Sequence, residues 1–129
     1  MATLSQEQAA LLKGKNFAVV ATVGEDGLPQ LTTNWIDWDG EHVVFNTAEG
    51  RVKPRNIRRN PTVSVCVFDH ENPYRYLSVT GPAEISDDGA EEHINDLSHR
   101  YFGRDYAYVD GEKRLIVRIK PERVFARGF

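Results

Sequence analysis

The 129 residues suffice for one domain with a real core, and 40% hydrophobic against 27% charged residues is the balance of an ordinary globular chain. A formal net charge of −3 argues against general affinity for nucleic acid, which needs a broad basic surface. The single cysteine, Cys66, excludes an internal disulfide, and no apolar run reaches the length of a membrane span.

The opening "MATLSQEQAALLKG" has no basic region, apolar core or cleavage site, so the expected compartment is the cytoplasm. Its Ser5 and Gln8 form a capping-box pattern for a short helix that Gly14 stops. "FAVVATV" (17–23) reads as a core strand, apolar on both faces, and "GEDG" (24–27) as a hairpin turn. "LPQLTTNWIDW" (28–38) alternates, with Leu31, Thr33 and Trp35 on one face and Gln30, Thr32, Asn34 and Ile36 on the other. "DG" (39–40) turns into a third strand, "HVVFNTA" (42–48), so three strands are expected as a meander.

After a basic connection, helical character runs from Pro54 to Arg59. "PTVSVCVF" (61–68) is a fourth strand, in which Cys66 reads as a buried, inert thiol. "YRYLSVTGPAEIS" (74–86) is a long fifth strand, bent or bulged at Gly81 and Pro82. A second helix, started by Asp87 or Asp88 and ended by Gly103, carries a stripe of Ile94, Leu97, Tyr101 and Phe102. "KRLIVRIKPERVFARGF" closes the chain as a sixth strand broken at Pro121. Six short strands with tight turns fit a small antiparallel barrel, mainly β with flanking helices, in one domain over residues 1–129.

The segment "EGRVKPRNIRRNP" (49–61) concentrates Arg51, Lys53, Arg55, Arg58 and Arg59 in an acidic chain. Arg55, Arg58 and Arg59 are spaced to share one helical face. Arg51 and Lys53 stand at a strand end followed by a helix start, where free backbone N–H groups add to their charge. That combination suits phosphate. A solvated charge run paired with carboxylates elsewhere fits the spacing equally well.

The pieces "FAVVATVGEDGLPQLTTNWIDWDG", "NTAEGRVKPRNIRRNPTVSVCVF", "YRYLSVTGPAEI" and "LIVRIKPERVFA" span nearly the whole chain. Together they resemble the pyridoxamine-phosphate-oxidase-like split β-barrel flavoproteins, and within them the branch that uses the deazaflavin coenzyme F420. The resemblance implies a homodimer with cofactor held in clefts between subunits. It makes Arg51 and Lys53 phosphate ligands, with Asn46 and Thr47 contributing from the strand end. It lays Pro29, Gln30 and Leu31 along the ring system, adds Asn34 as a further contact, and brings Tyr76 from the partner or the facing strand. Arg55 adds positive charge for a phosphate that leads into a polyglutamate tail. Arg58 and Arg59 fall to that tail, the dimer or solvent. FMN shares the ring, ribityl chain and phosphate, so it stands as the alternative cofactor.

The implied reaction is hydride transfer from the reduced deazaflavin to an electron-poor small molecule such as a quinone or tetrapyrrole. The cofactor supplies the difficult chemistry, so no catalytic triad is expected, and the four histidines have no metal-site spacing. Trp35, Trp38, Tyr74 and Phe129 either line an acceptor pocket or pack the core and interface. The terminal "ARGF" either folds over a neighbouring subunit's site or forms a loose tail. A non-catalytic F420 carrier is the reading from another class. Haem handling is disfavoured by the lack of placed axial histidines.

Overall fold

The computed structural model describes residues 2–129. Helix α1 (Gln6–Lys13) opens with the expected reciprocal cap: Ser5 Oγ accepts from the Gln8 amide and Gln8 Oε1 from the Ser5 amide. It buries Leu11 and Leu12 and ends where Gly14 turns to extended backbone, not to a left-handed cap. Strand β1 (Phe17–Val23) buries Ala18, Val20 and Thr22 on one face, while its other face is only half covered. Core status on both faces was therefore too much to expect of "FAVVATV". It belongs instead to β4 (Val43–Ala48), buried at every position.

The expected meander breaks at Ile36. Strand β2 (Pro29–Trp35) pairs with β1 alone, as a sheet edge, whereas β3 (Asp37–Trp38) pairs with β4. Between them Ile36 is fully buried, and its backbone leaves the ladder for side chains of a distant helix. The Ile36 amide donates to the Tyr101 hydroxyl at 3.1 Å, and its carbonyl accepts from Arg100 Nη1 at 2.9 Å. Both polar groups stay satisfied, so the chain can cross between sheets there.

Helix α2 (Val52–Arg59) begins two residues earlier than the sequence suggested, with Pro54 in its first turn. Strand β5 (Thr62–Phe68) pairs with β1 and with β6 (Tyr76–Ser86). Strand β6 joins two halves of the sheet. Its first part holds β5 and β8 (Arg123–Arg127), and Ala83–Ser86 holds β7 (Arg114–Ile119). The closing segment is thus two strands with different stretches of β6 as partner, separated at Pro121. Gly81 makes this crossing possible: a Cβ there would lie 1.7 Å from the Lys120 carbonyl oxygen.

Helix α3 (Ala90–Phe102) starts at Gly89 in the left-handed region, φ 74°, without a side-chain cap; neither Asp87 nor Asp88 plays that part. It buries Ile94, Leu97 and Tyr101, but Phe102 is exposed and meets Trp35 edge-on. The sheet order β2-β1-β5-β6-β7-β4-β3 curls around a core that includes Leu12, Val20, Ile36, Phe45, Leu77 and Ile119. This is the split-barrel architecture, mainly β with flanking helices.

Candidate functional site

The basic junction lies where β4 passes into α2. Gly50, at φ 90°, makes the turn, and Arg51 enters the helix with its amide on the Ala48 carbonyl at 3.3 Å. Lys53, one residue inside the helix, is only 8% exposed and makes no ion pair or hydrogen bond among the described residues. Burial, then the Arg51 and Arg114 guanidiniums, hold its ammonium below the usual lysine range. Thr47 Oγ1 is also buried and has no partner among the described residues. Lys53 has a covered stem and an ammonium without a protein partner, and the enclosed Thr47 hydroxyl lowers stability unless something accepts from it. An anionic oxygen fits both.

Sequence reasoning missed Arg114, the third cation here. It stands at the start of β7 beside "EK", in a stretch that reads as surface, yet it is buried. Its Nε donates to Asn46 Oδ1 at 2.9 Å and its Nη1 to the Tyr106 hydroxyl at 3.2 Å. Glu112 reaches Arg114 with Oε1 at 3.4 Å and Arg51 with Oε2 at 3.5 Å. One carboxylate therefore serves two arginines, Arg51 and Arg114, and Lys53 has none of its own.

Beside the junction is a cleft of about 290 Å³. Asn34, Asn46, Arg51 and Arg114 supply much of its polar lining, and Phe17 and Trp35 part of its apolar lining. The Asn34 Oδ1 accepts from the Thr32 hydroxyl at 2.7 Å, which turns its Nδ2 away from that contact. Trp35 lines the cleft while stacked on Tyr101 at 5.1 Å, so it packs and lines at once.

A second, more open groove of about 680 Å³ runs past Pro29, Gln30, Val52 and Asn56. Gln30 is not a free surface residue. Its Oε1 accepts from the buried Thr22 hydroxyl at 3.1 Å, and Thr22 Oγ1 accepts from Asn56 Nδ2 at 3.1 Å. This chain ties the β2 edge to α2 and leaves the Gln30 amino group for the groove. Leu31, on the same edge, is 64% exposed.

The remaining residues singled out in the sequence do not converge here. Arg58 is bound through both terminal nitrogens to Glu49, at 2.5 and 2.8 Å. Arg59 reaches Asn56 Oδ1 at 3.4 Å, and Arg55 is exposed. The shared face of Arg55, Arg58 and Arg59 is thus divided among separate contacts. Tyr76, opposite Phe68 and Arg127, lines neither cleft and packs near Phe125. Trp38 packs on the core, Tyr74 is exposed, and Phe129 lies under Arg75 at 4.6 Å, so the four aromatics form no single pocket. The "ARGF" end is not loose: Arg127 pairs with Tyr76, and Gly128 lies against Arg75. Cys66 is half-buried, and burial pushes its thiol up, which suits an inert group.

A family model described as pyridoxamine 5'-phosphate oxidase matches residues 4–128. Among solved structures, an F420 reductase superposes with a TM-score of 0.83 at 34% identity, over 95% of this chain and 98% of that one. A conserved hypothetical protein from Mycobacterium tuberculosis gives 0.78 at 29% identity, over 97% and 85%. HupZ from Group A Streptococcus gives 0.72 at 25% identity, over 96% and 94%.

Proposed function

The chain belongs to the pyridoxamine 5'-phosphate oxidase family, and from that premise we propose an oxidoreductase that binds coenzyme F420 and reduces an electron-poor organic acceptor. The likeness to an F420 reductase supports the choice of coenzyme. The observation that carries the reading is the largely covered Lys53 without a counter-charge at the β4–α2 junction, where the Thr47 Oγ1 at the end of β4 is also unpartnered.

In this reading Lys53 and Arg51 hold the coenzyme's phosphate, Thr47 donates its hydroxyl, and the first amides of α2 complete the cradle. Pro29, Gln30 and Leu31 lie along the ring system, with the Gln30 amino group as the directed donor. Asn34 presents its amide toward the neighbouring cleft, Asn46 braces Arg114 at its wall, and Arg55 stands outside for the acidic tail. When bound, the reduced deazaflavin supplies a hydride; the residues bind, orient and exclude water.

The protein acts as a homodimer, and Tyr76 reaches the site from the partner. Leu28 and Leu31, each 64% exposed, and Val52 offer apolar surface beside the open groove for that second copy.

One observation favours FMN as a second reading. Glu49 claims Arg58, which removes a cation that would otherwise serve a polyglutamate tail. Titrating the purified protein separately with F420 and FMN, with fluorescence as readout, decides between them. Tighter F420 binding, lost on replacing Arg51 and Lys53 with Ala, is the expected result. F420 binding without turnover on quinones, tetrapyrroles or nitro compounds would mark a carrier instead.

A further inference from the structure

Behind the cleft, Asp37, His93, Asn46 and Arg114 form a line of hydrogen bonds that one assignment of protons satisfies. A guanidinium only donates, so Arg114 Nε–H must give to Asn46 Oδ1, 2.9 Å away. That fixes the amide of Asn46, whose Nδ2 then faces the Ala90 carbonyl at 2.9 Å and His93 Nδ1 at 3.1 Å. An amide nitrogen also only donates, so His93 Nδ1 must accept and carry no proton. The imidazole proton therefore sits on Nε2, which Asp37 Oδ2 accepts at 3.1 Å. Arg100 Nη2 holds the other oxygen of Asp37 at 2.7 Å.

At the cleft end, the Arg114 guanidinium lies 5.2 Å from the centre of the Tyr106 ring. Its Nε and Nη1 are engaged, while Nη2 has no hydrogen-bond partner among the described residues. Two N–H groups on a fixed fork are thus free for an oxyanion in the cleft that Arg114 lines.

We propose that Arg114 recognises an oxyanion of the bound molecule, and that the Asp37–His93–Asn46 relay positions it, releasing it when His93 gains a second proton. The inference rests on the reading of this cleft as the place for an anionic group. A proton on Nδ1 would confront Asn46 Nδ2, donor against donor. Relief requires the amide to turn over, which sets Nδ2 against Arg114 Nε–H and removes that anchor. The sign is diagnostic. Ordinary electrostatics strengthens anion binding as a site gains protons, whereas the relay weakens it.

The groups that face this line are Asp37 from β3, Arg100 from α3 and Arg114 from β7, with Lys53, Arg51 and Glu112 beyond Arg114. Arg118, farther along β7, is engaged by Asp39 at 3.5 Å. Asp37 is held down to about 2 and stays ionised through the neutral range, and the arginines stay charged. Replacing His93 with Gln keeps an acceptor and a donor without a titrating ring, which isolates the histidine from Lys53 and Glu112.

Sulfate is the probe, because its charge is constant over the range. Calorimetric titration of the full chain compares binding at about pH 8 and about pH 5.5. In the native protein sulfate affinity falls by about fivefold or more at the lower pH, a release of one anchored fork. The H93Q variant keeps the higher-pH affinity within about threefold and shows no such fall. Nitrogen-15 spectra of the ligand-free protein at the higher pH show His93 protonated on Nε2. Equal or tighter sulfate binding at low pH, or a proton on Nδ1, overturns the relay while leaving the anion site standing. Failure to bind sulfate at either pH overturns the relay and the anionic reading of the cleft together.

Discussion

The outer face of α2 and its inner, β4-facing side carry cations of the same kind and opposite meaning. On the outside, Arg58 closes on Glu49 and Arg55 projects into solvent. On the inside, Lys53 is buried with no carboxylate of its own, and Arg114 shares Glu112 with Arg51. An exposed pair gains little because water screens it, while a buried unpaired charge is held only at a cost to stability. The lesson is that a ligand is signalled by a cation the fold has isolated, not by the density of cations along the chain.

Five tests break or sharpen that contrast. Replacing Arg51 and Lys53 together with Ala has the largest expected effect, about 2–5 kcal/mol of lost coenzyme binding by fluorescence titration. An unchanged dissociation constant would remove both from the site. Asp37→Asn addresses a buried charge that is paired. Burial would raise its pKa, but hydrogen bonds from His93, Arg100 and the Trp38 amide, with the Arg100 charge, lower it from 3.8 to about 2. Its stabilising contribution is full above the unfolded value and is lost as pH falls from about 4 toward 2. Urea unfolding of D37N at neutral pH should show a loss of roughly 2 kcal/mol, and its acid limb should flatten in that window.

Thr47→Val removes the orphaned hydroxyl. It should raise stability of the ligand-free protein by about 1 kcal/mol and lower coenzyme affinity by a similar amount. Lost stability with unchanged affinity would mean the hydroxyl serves the fold alone. The lowered Lys53 gives a fourth test: an anion restores the ammonium, so binding takes up protons at pH below the usual lysine range and weakens as pH rises through the native value. Calorimetry in buffers of different ionisation enthalpy measures that uptake. Arg58→Ala is the smallest, with no change expected in coenzyme affinity, because its partner is Glu49.

How much of this was legible varies with where the information lies. The Ser5–Gln8 cap and the strand starting at Phe17 are written in neighbouring residues and appear where expected, whereas β6 runs on through Gly81 in regular register. The break at Ile36 is not local. It depends on Arg100 and Tyr101, more than sixty residues away, replacing ladder partners. The division of the last strand at Pro121 was visible, but the change of partner along β6 was not. At the site, the sequence supplied the charges of Arg51 and Lys53 and the strand end at Asn46 and Thr47. It did not supply the burial of Lys53, the arrival of Arg114 from β7, or the withdrawal of Arg58 to Glu49, because each depends on which strands and turns lie together.

The most direct test is a crystal structure of the protein with coenzyme F420 bound at neutral pH. The expected result is a phosphate oxygen within hydrogen-bond distance of Lys53 Nζ and another accepting from Thr47 Oγ1. A phosphate resting on Arg55, Arg58 or Arg59, with Lys53 still unpaired, would contradict it.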